Sequence, residues 1–188
     1  MDPAKRRATY EDLLQVPDHL VAEIVGGELY TSPRPASPHA RAASVAIRDL
    51  DPFDEEPGGP RGPGGWWILF EPELHLDADV VVPDLAGWRR ERMARIPNTA
   101  AFTLAPDWVC EVVSPGTARL DRIGKMPVYA RAGVGHLWLV DPLAQTLEVY
   151  RLEAGRWLVA QTLGGSERVR AEPFDAIEVD LSRWWLDG

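Results

Sequence analysis

The sequence predicts an α/β protein of the α+β kind, a β-sheet with helices packed on it and an N-terminal β-hairpin. Three observations carry this. Short apolar or alternating runs recur along the chain (WWILF, ELHLD, DVVVPDLA, HLWLVD, TLEVYRL, RWLVAQTL), the pattern of strands. Two longer stretches, 38–50 and 117–132, read as helices instead. Gly and Pro clusters separate these segments. The length of 188 residues fits one domain, 1–188, with residues 1–8 as a flexible tail.

Taken in order, residues 9–15 predict a short helix capped by Thr9, with Asp12 at the third helical position. Residues 21–30 predict a hairpin turned at Gly26-Gly27, which places Val25 opposite Glu28 and Glu23 opposite Tyr30. Residues 38–50 begin with Pro and carry Ala43, Val45, Ala46, Ile47 and Leu50, a helix packed on a sheet. Residues 54–65 hold three prolines and five glycines and predict a flexible loop. Strands follow at 66–70, 73–77 and 79–86, then a helical turn at 89–96 and a strand at 107–113. The second helix spans 117–132, with Pro127 predicting a kink near Gly124 that would displace Lys125. Strands at 136–141, 146–152 and 156–163 complete the sheet, the last two a hairpin around 153–155. The apolar DLSRWW docks on the body or on a second subunit, and Trp66-Trp67 and Trp184-Trp185 suggest a homodimer interface.

Composition excludes several classes. No apolar run approaches the ~18–20 residues of a membrane span, and the N-terminus lacks the apolar core of a secretory signal, so the cytoplasm is the default compartment. One cysteine, Cys110, rules out an internal disulfide and a multi-cysteine zinc site. His19, His39, His75 and His136 lack ligand spacing. A net charge of −9 excludes a general nucleic-acid coater. Two local basic clusters remain, Arg89/Arg90/Arg92/Arg95 and Arg119/Arg122/Arg131, and solvated helix faces account for both.

Against this background, a few polar residues stand on apolar segments. Asp84 closes VVVPDL, and Glu111 lies inside WVCEVVSP. A buried carboxylate costs several kcal/mol unless it is paired, hydrogen-bonded or metal-bound. Strand alternation puts Val109, Glu111 and Val113 on one face, and Val80, Val82 and Asp84 on one face of the preceding strand. If those strands are neighbours, Asp84 and Glu111 converge. Lys125 is one of two lysines among 20 basic residues, and with Asp121 and Tyr129 it forms an i, i+4 stripe. The stripe also reads simply as a surface ion pair. Two carboxylates and an ammonium are the parts of a metal-dependent phosphodiester-cleaving site, with Mg²⁺ or Mn²⁺ held by carboxylates, water and substrate phosphate. His39 opens the first long helix, from which it can approach the site as a supporting residue, although a helix-terminal role is the simpler reading.

The segments TYEDLLQVP, AEIVGGELYTSPRPASPHAR, VVVPDLAGW, the block from Pro106 to Pro142 and LEVYRLEAGRW occur in an order that resembles the Uma-type restriction-endonuclease-like proteins of the PD-(D/E)XK nuclease superfamily. The resemblance implies a restriction-endonuclease-like core, a central mixed β-sheet flanked by helices, and Mg²⁺-dependent DNA cleavage. On it Asp84 matches the first metal-binding carboxylate and Glu111 the acidic residue of the second motif. The lysine usual two positions later is Val113 here, and Lys125 is its substitute from the following helix. Glu23 matches an acidic position near the site, with Asp121 and Tyr129 in supporting positions and the backbone carbonyl of Val112 a further ligand. Gly26, Gly135, His136 and Pro127 depart from the family pattern. The alternative expectation is a catalytically inactive, acidic, dimeric interaction module of the same fold.

Overall fold

The protein is described from a computed structural model covering residues 6–186. Of the expected flexible tail, residues 1–5 lie outside the described residues, whereas the Ala8 N–H donates to the Gly27 carbonyl at 2.8 Å. Thr9 and Asp12 form the reciprocal capping box of helix α1 (Tyr10–Leu13). Strands β1 (Leu20–Val25) and β2 (Glu28–Pro33) pair in the register the turn dictates, Val25 against Glu28 and Glu23 against Tyr30. Gly26 and Gly27 supply φ of +63° and +83°, which only glycine adopts freely. Helix α2 (Ser37–Asp49) carries Pro38 in its first turn and buries Ala42, Ala43, Val45 and Ala46.

The loop at 54–65 is tied down rather than free. Gly64 and Gly65 donate to the carbonyls of Pro52 and Glu55, and Arg90 reaches Glu56 at 2.5 Å. After it come β3 (Trp66–Phe70), β4 (Glu73–Leu76), β5 (Asp79–Val81) and β6 (Leu85–Arg89). The expected single strand at 79–86 is therefore two strands in two sheets. Pro83 has no N–H for a ladder, and the chain changes sheets at Val82-Pro83-Asp84. Of the helical turn expected at 89–96 only one hydrogen-bonded turn forms, the Arg89 carbonyl accepting from Arg92 and Met93, and the rest is irregular. There Arg89 and Arg90 lie over the Trp66 and Trp67 rings and Arg92 pairs with Asp107 at 2.8 Å, so three of the four arginines of this cluster are engaged within the chain.

The remaining strands are β7 (Ala101–Phe102), β8 (Trp108–Val112), β9 (His136–Asp141), β10 (Thr146–Glu153), β11 (Arg156–Gly164), β12 (Arg168–Val169) and β13 (Val179–Asp180). The main sheet has the order β11-β10-β9-β8-β6-β3 and the second β2-β1-β5-β4-β7; β12 and β13 pair separately. The main sheet is mixed because β8 and β9 run parallel, and a parallel pair needs a crossover, here the second helical segment.

Each face of the main sheet has its own cover. Trp108, Cys110 and Val112 point toward α2 and the C-terminal segment, where Trp138, Phe174 and Trp184 complete an aromatic core. Val109 and Val113 point the other way, toward Leu74, Val81, Val128 and Tyr129. Helices were expected to flank the sheet; on this second face the five-stranded sheet takes most of that role. Of the four tryptophans expected at a subunit interface, Trp66, Trp184 and Trp185 are buried inside the chain itself and Trp67 is half-buried. Among the described residues no helix is long and apolar enough to cross a membrane.

Candidate active site at the sheet crossing

Three elements meet where the chain passes from the second sheet to the main one. In the antiparallel pairing of β6 and β8, Leu85 lies opposite Cys110. Asp84, one residue earlier, therefore falls beside Glu111, and its Oδ2 accepts from the Val112 N–H at 2.7 Å. Asp84 is not on a common strand face with Val80 and Val82 as expected, yet it reaches the predicted neighbour. Glu23, from β1, accepts from the Val82 N–H at 2.8 Å. The crossing is thus pinned on both sides of Pro83.

The third element is the helical segment. Residues Leu120–Lys125 form a π-helix that passes directly into α3 (Met126–Arg131), with Pro127 in its first turn. Pro127 does not displace Lys125. The wider turn absorbs the missing N–H at the start of a fresh α-helix, where Pro is tolerated. It also aligns the stripe. In an α-helix i+4 overshoots one turn; in a π-turn, closed by i→i+5 bonds, it falls short. One drift offsets the other, and Asp121, Lys125 and Tyr129 all face Glu111. Gly124 lets the segment approach the hairpin, since a Cβ there would lie 3.2 Å from Val25 Cγ1.

At the centre is the Lys125 ammonium. It lies 2.9 Å from Glu23, 3.3 Å from Glu111 and 3.4 Å from Asp121. The Tyr129 hydroxyl donates to Glu111 at 2.5 Å. This is no surface ion pair: the Lys125 and Glu111 side chains are 5% and 3% exposed. One ammonium serves three buried carboxylates, and the electrostatics follow from that surplus. Burial opposes the lysine charge, but Glu111, Glu23 and Asp121 hold it well above the ordinary lysine range. Burial drives the Glu111 carboxyl well above the usual carboxylate range; Lys125 pulls it down, and Asp121, Asp84 and Glu23 push it further up. Burial likewise raises Asp121 and, with Glu111, Tyr129.

His39 does more than end a helix. Its Nε2 lies 3.2 Å from Asp84 Oδ1, while its buried Nδ1 has no hydrogen-bond partner. Burial disfavours the imidazolium, but the Asp84 hydrogen bond and charge, with Asp121 and Glu71, raise its pKa on balance. Nothing in the spacing of PHAR pointed to Asp84. A cavity of about 370 Å³ joins the set, lined by Glu23, His39, Asp84, Glu111, Val112, Asp121 and Lys125. Every site residue expected from the sequence lines it except Tyr129, which touches it through Glu111.

The donors suit a hard cation: carboxylate oxygens, with negative charge in excess and no thiolate. Among the described residues no three His, Cys, Asp or Glu side chains are arranged as a ready metal cage. Mg²⁺ needs none, since it keeps several waters and takes one or two carboxylates. Asp84 and Glu111, with the Val112 carbonyl, fit that role.

A mixed sheet crossed in this way, with its helical crossover after β8, has the restriction-endonuclease-like fold. A crystal structure described as "a putative nuclease belonging to DUF820", from Anabaena variabilis, superposes with a TM-score of 0.73 at 21% identity, covering 94% of this chain and 97% of that one. The likeness at this identity establishes the fold. The family model Uma2, described as "Putative restriction endonuclease", matches residues 8–182, and the chain belongs to that family. No curated protein matches it in sequence.

Proposed function

We propose that the protein is a divalent-metal-dependent nuclease that hydrolyses phosphodiester bonds of DNA. One observation carries the reading: a single buried ammonium amid three carboxylates, Lys125 with Glu23, Glu111 and Asp121, opening on a cavity that also holds Asp84. Burying that surplus of negative charge costs several kcal/mol without a cation or protons to offset it. A stable fold alone would be better served by apolar residues here.

Asp84 and Glu111 would hold Mg²⁺ or Mn²⁺ with the Val112 carbonyl. When bound, the cation supplies Lewis acidity, lowering the pKa of water and neutralising charge on the phosphate. The chain's own groups supply the rest. Lys125 donates hydrogen bonds toward the attacking water or the developing phosphorane charge. Glu23 acts on Lys125, fixing its Nζ while holding Val82 N–H. Tyr129 orients Glu111, and His39 orients Asp84. Asp121 tethers the π-turn to the lysine. Three of the four tryptophans that suggested a homodimer, Trp66, Trp184 and Trp185, are buried inside the chain, and a dimer has no part in the proposal.

The inactive-module alternative drew on the net charge of −9 and on Pro127, and the π-turn removes the second of these arguments. The test is cleavage of supercoiled plasmid and of single-stranded DNA with Mg²⁺ and with Mn²⁺. Metal-dependent nicking by the wild type, lost in Asp84→Ala, Glu111→Ala and Lys125→Ala, is the expected result. Undiminished cleavage by all three variants would sink the site.

A further inference from the structure

We propose that the strand cut at this site is unpaired DNA, and that it runs from the site into the groove between β2 and the π-helix, where Arg119 holds the next phosphate. The inference rests on the nuclease reading above and adds the substrate class.

The catalytic groups are deep. Glu111 and Lys125 are all but closed off, and β2 with Arg34 forms one wall of their cavity. A duplex presents its phosphates on the outside of a rod, and the second strand bars one backbone from entering a pocket. An unpaired strand can enter and splay its bases. A second groove of about 560 Å³ adjoins the first. The two share Thr31, Ser32, Gly116 and Thr117, a neck where the Thr31 and Ser32 hydroxyls can donate to a backbone passing through.

Arginine pairing shows where the phosphate goes. Of the three arginines lining the cavities, Arg34 pairs with Glu71 and Arg131 with Asp79. Arg119 is exposed and has no ion-pair partner among the described residues. A free guanidinium is a bidentate phosphate ligand. Beside it Ile123, 62% exposed, offers an apolar surface for a splayed base. The acidity of the chain agrees: with a net charge of −9 it is poorly suited to a duplex that demands many phosphate contacts, whereas one passing strand needs few.

The experiment measures Mg²⁺-dependent cleavage of a labelled single-stranded oligonucleotide and of the blunt duplex containing it. Wild type, Arg119→Glu and Arg119→Lys are compared. The single strand should be cut at least about tenfold faster in kcat/KM. Arg119→Glu should raise KM about tenfold with kcat nearly unchanged, and Arg119→Lys should restore part of the loss, the signature of ground-state binding. Equal cutting of both substrates, or no response to Arg119→Glu, overturns the groove and leaves the nuclease reading intact. If neither substrate is cut, the nuclease reading fails, and fluorescence polarisation with the same oligonucleotide decides the groove. Binding weakened by Arg119→Glu supports it; no binding overturns it.

Discussion

Strand β8 shows two chemistries on its two faces. Toward α2, Trp108 meets Trp138 edge-on with ring centroids 5.1 Å apart, and Phe174 packs against both and against Phe53 and Trp66. Three residues along, Glu111 points the other way into Lys125, Tyr129 and a surplus of carboxylates. The aromatic face gains by removing apolar surface from water. The charged face gains little or loses, because its ions leave water without full compensation. The same strand is thus anchored on one side so that it can hold a costly arrangement on the other, and stability and chemistry should separate by face.

The largest effect is expected from Lys125→Ala. It should reduce cleavage by about 10²-fold or more, in line with loss of a charge-stabilising donor. It should also cost about 3–5 kcal/mol of stability, since three carboxylates lose their counter-charge; urea unfolding beside the plasmid assay measures both. Phe174→Ala should cost a similar ~3–5 kcal/mol, but the folded fraction should keep wild-type cleavage. If its specific activity fell as far as that of Lys125→Ala, the separation of the faces would be broken.

Glu111→Gln sharpens the contrast. Cleavage should vanish while stability at neutral pH stays level or rises by about 1 kcal/mol, the trade expected where a site is strained for function. The sign follows from the raised carboxyl: its charged form is disfavoured in the fold. The cost is absent below the unfolded value near 4.5 and grows as pH rises above it. The variant's advantage should therefore appear above about pH 4.5 and disappear below. A variant less stable than wild type at pH 7 would show that Glu111 is a structural hydrogen-bond hub instead.

The smallest effect belongs to a pair with no part in the site. Arg122 donates two hydrogen bonds to Glu148 at 2.8 and 2.9 Å. This holds the Glu148 carboxyl below its ordinary range, while burial and Glu148 push Tyr150 up to about 12. A depressed carboxylate stabilises above the unfolded value near 4.5 and loses that contribution as pH falls through its folded value. Glu148→Gln should cost about 0.5 kcal/mol at pH 7, discounted for solvent screening, and nothing near pH 2. An equal loss at both pH values in thermal unfolding would mean that packing, not charge, sets the contribution.

Much of this was legible in the sequence because it depends on near neighbours. Gly26-Gly27 set the hairpin register, Thr9 and Asp12 the first cap, and strand alternation the two faces of β8. That Asp84, Glu111 and Lys125 merit attention was legible as well, since a carboxylate in an apolar strand and a rare lysine stand out against their surroundings, and the three line one cavity. Other features depended on distant partners. Pro83 could be read as a blemish in one strand, but only the competition of two sheets for the segment around it makes a crossing. Pro127 predicted a displaced lysine, and only packing against the hairpin at Gly124 selects the π-turn that keeps Lys125 in place. Arg90 and Arg92 read as a solvated patch, since their partners Trp67, Glu56 and Asp107 lie far off in sequence or across a turn. His39 could not be assigned to Asp84, 45 residues on. Local sequence fixes backbone geometry and burial pattern because those energies act over a few residues. Which charges share one ammonium is decided by the tertiary fold, because electrostatic energy depends on distance and desolvation, and both are set only when the sheets close over the site.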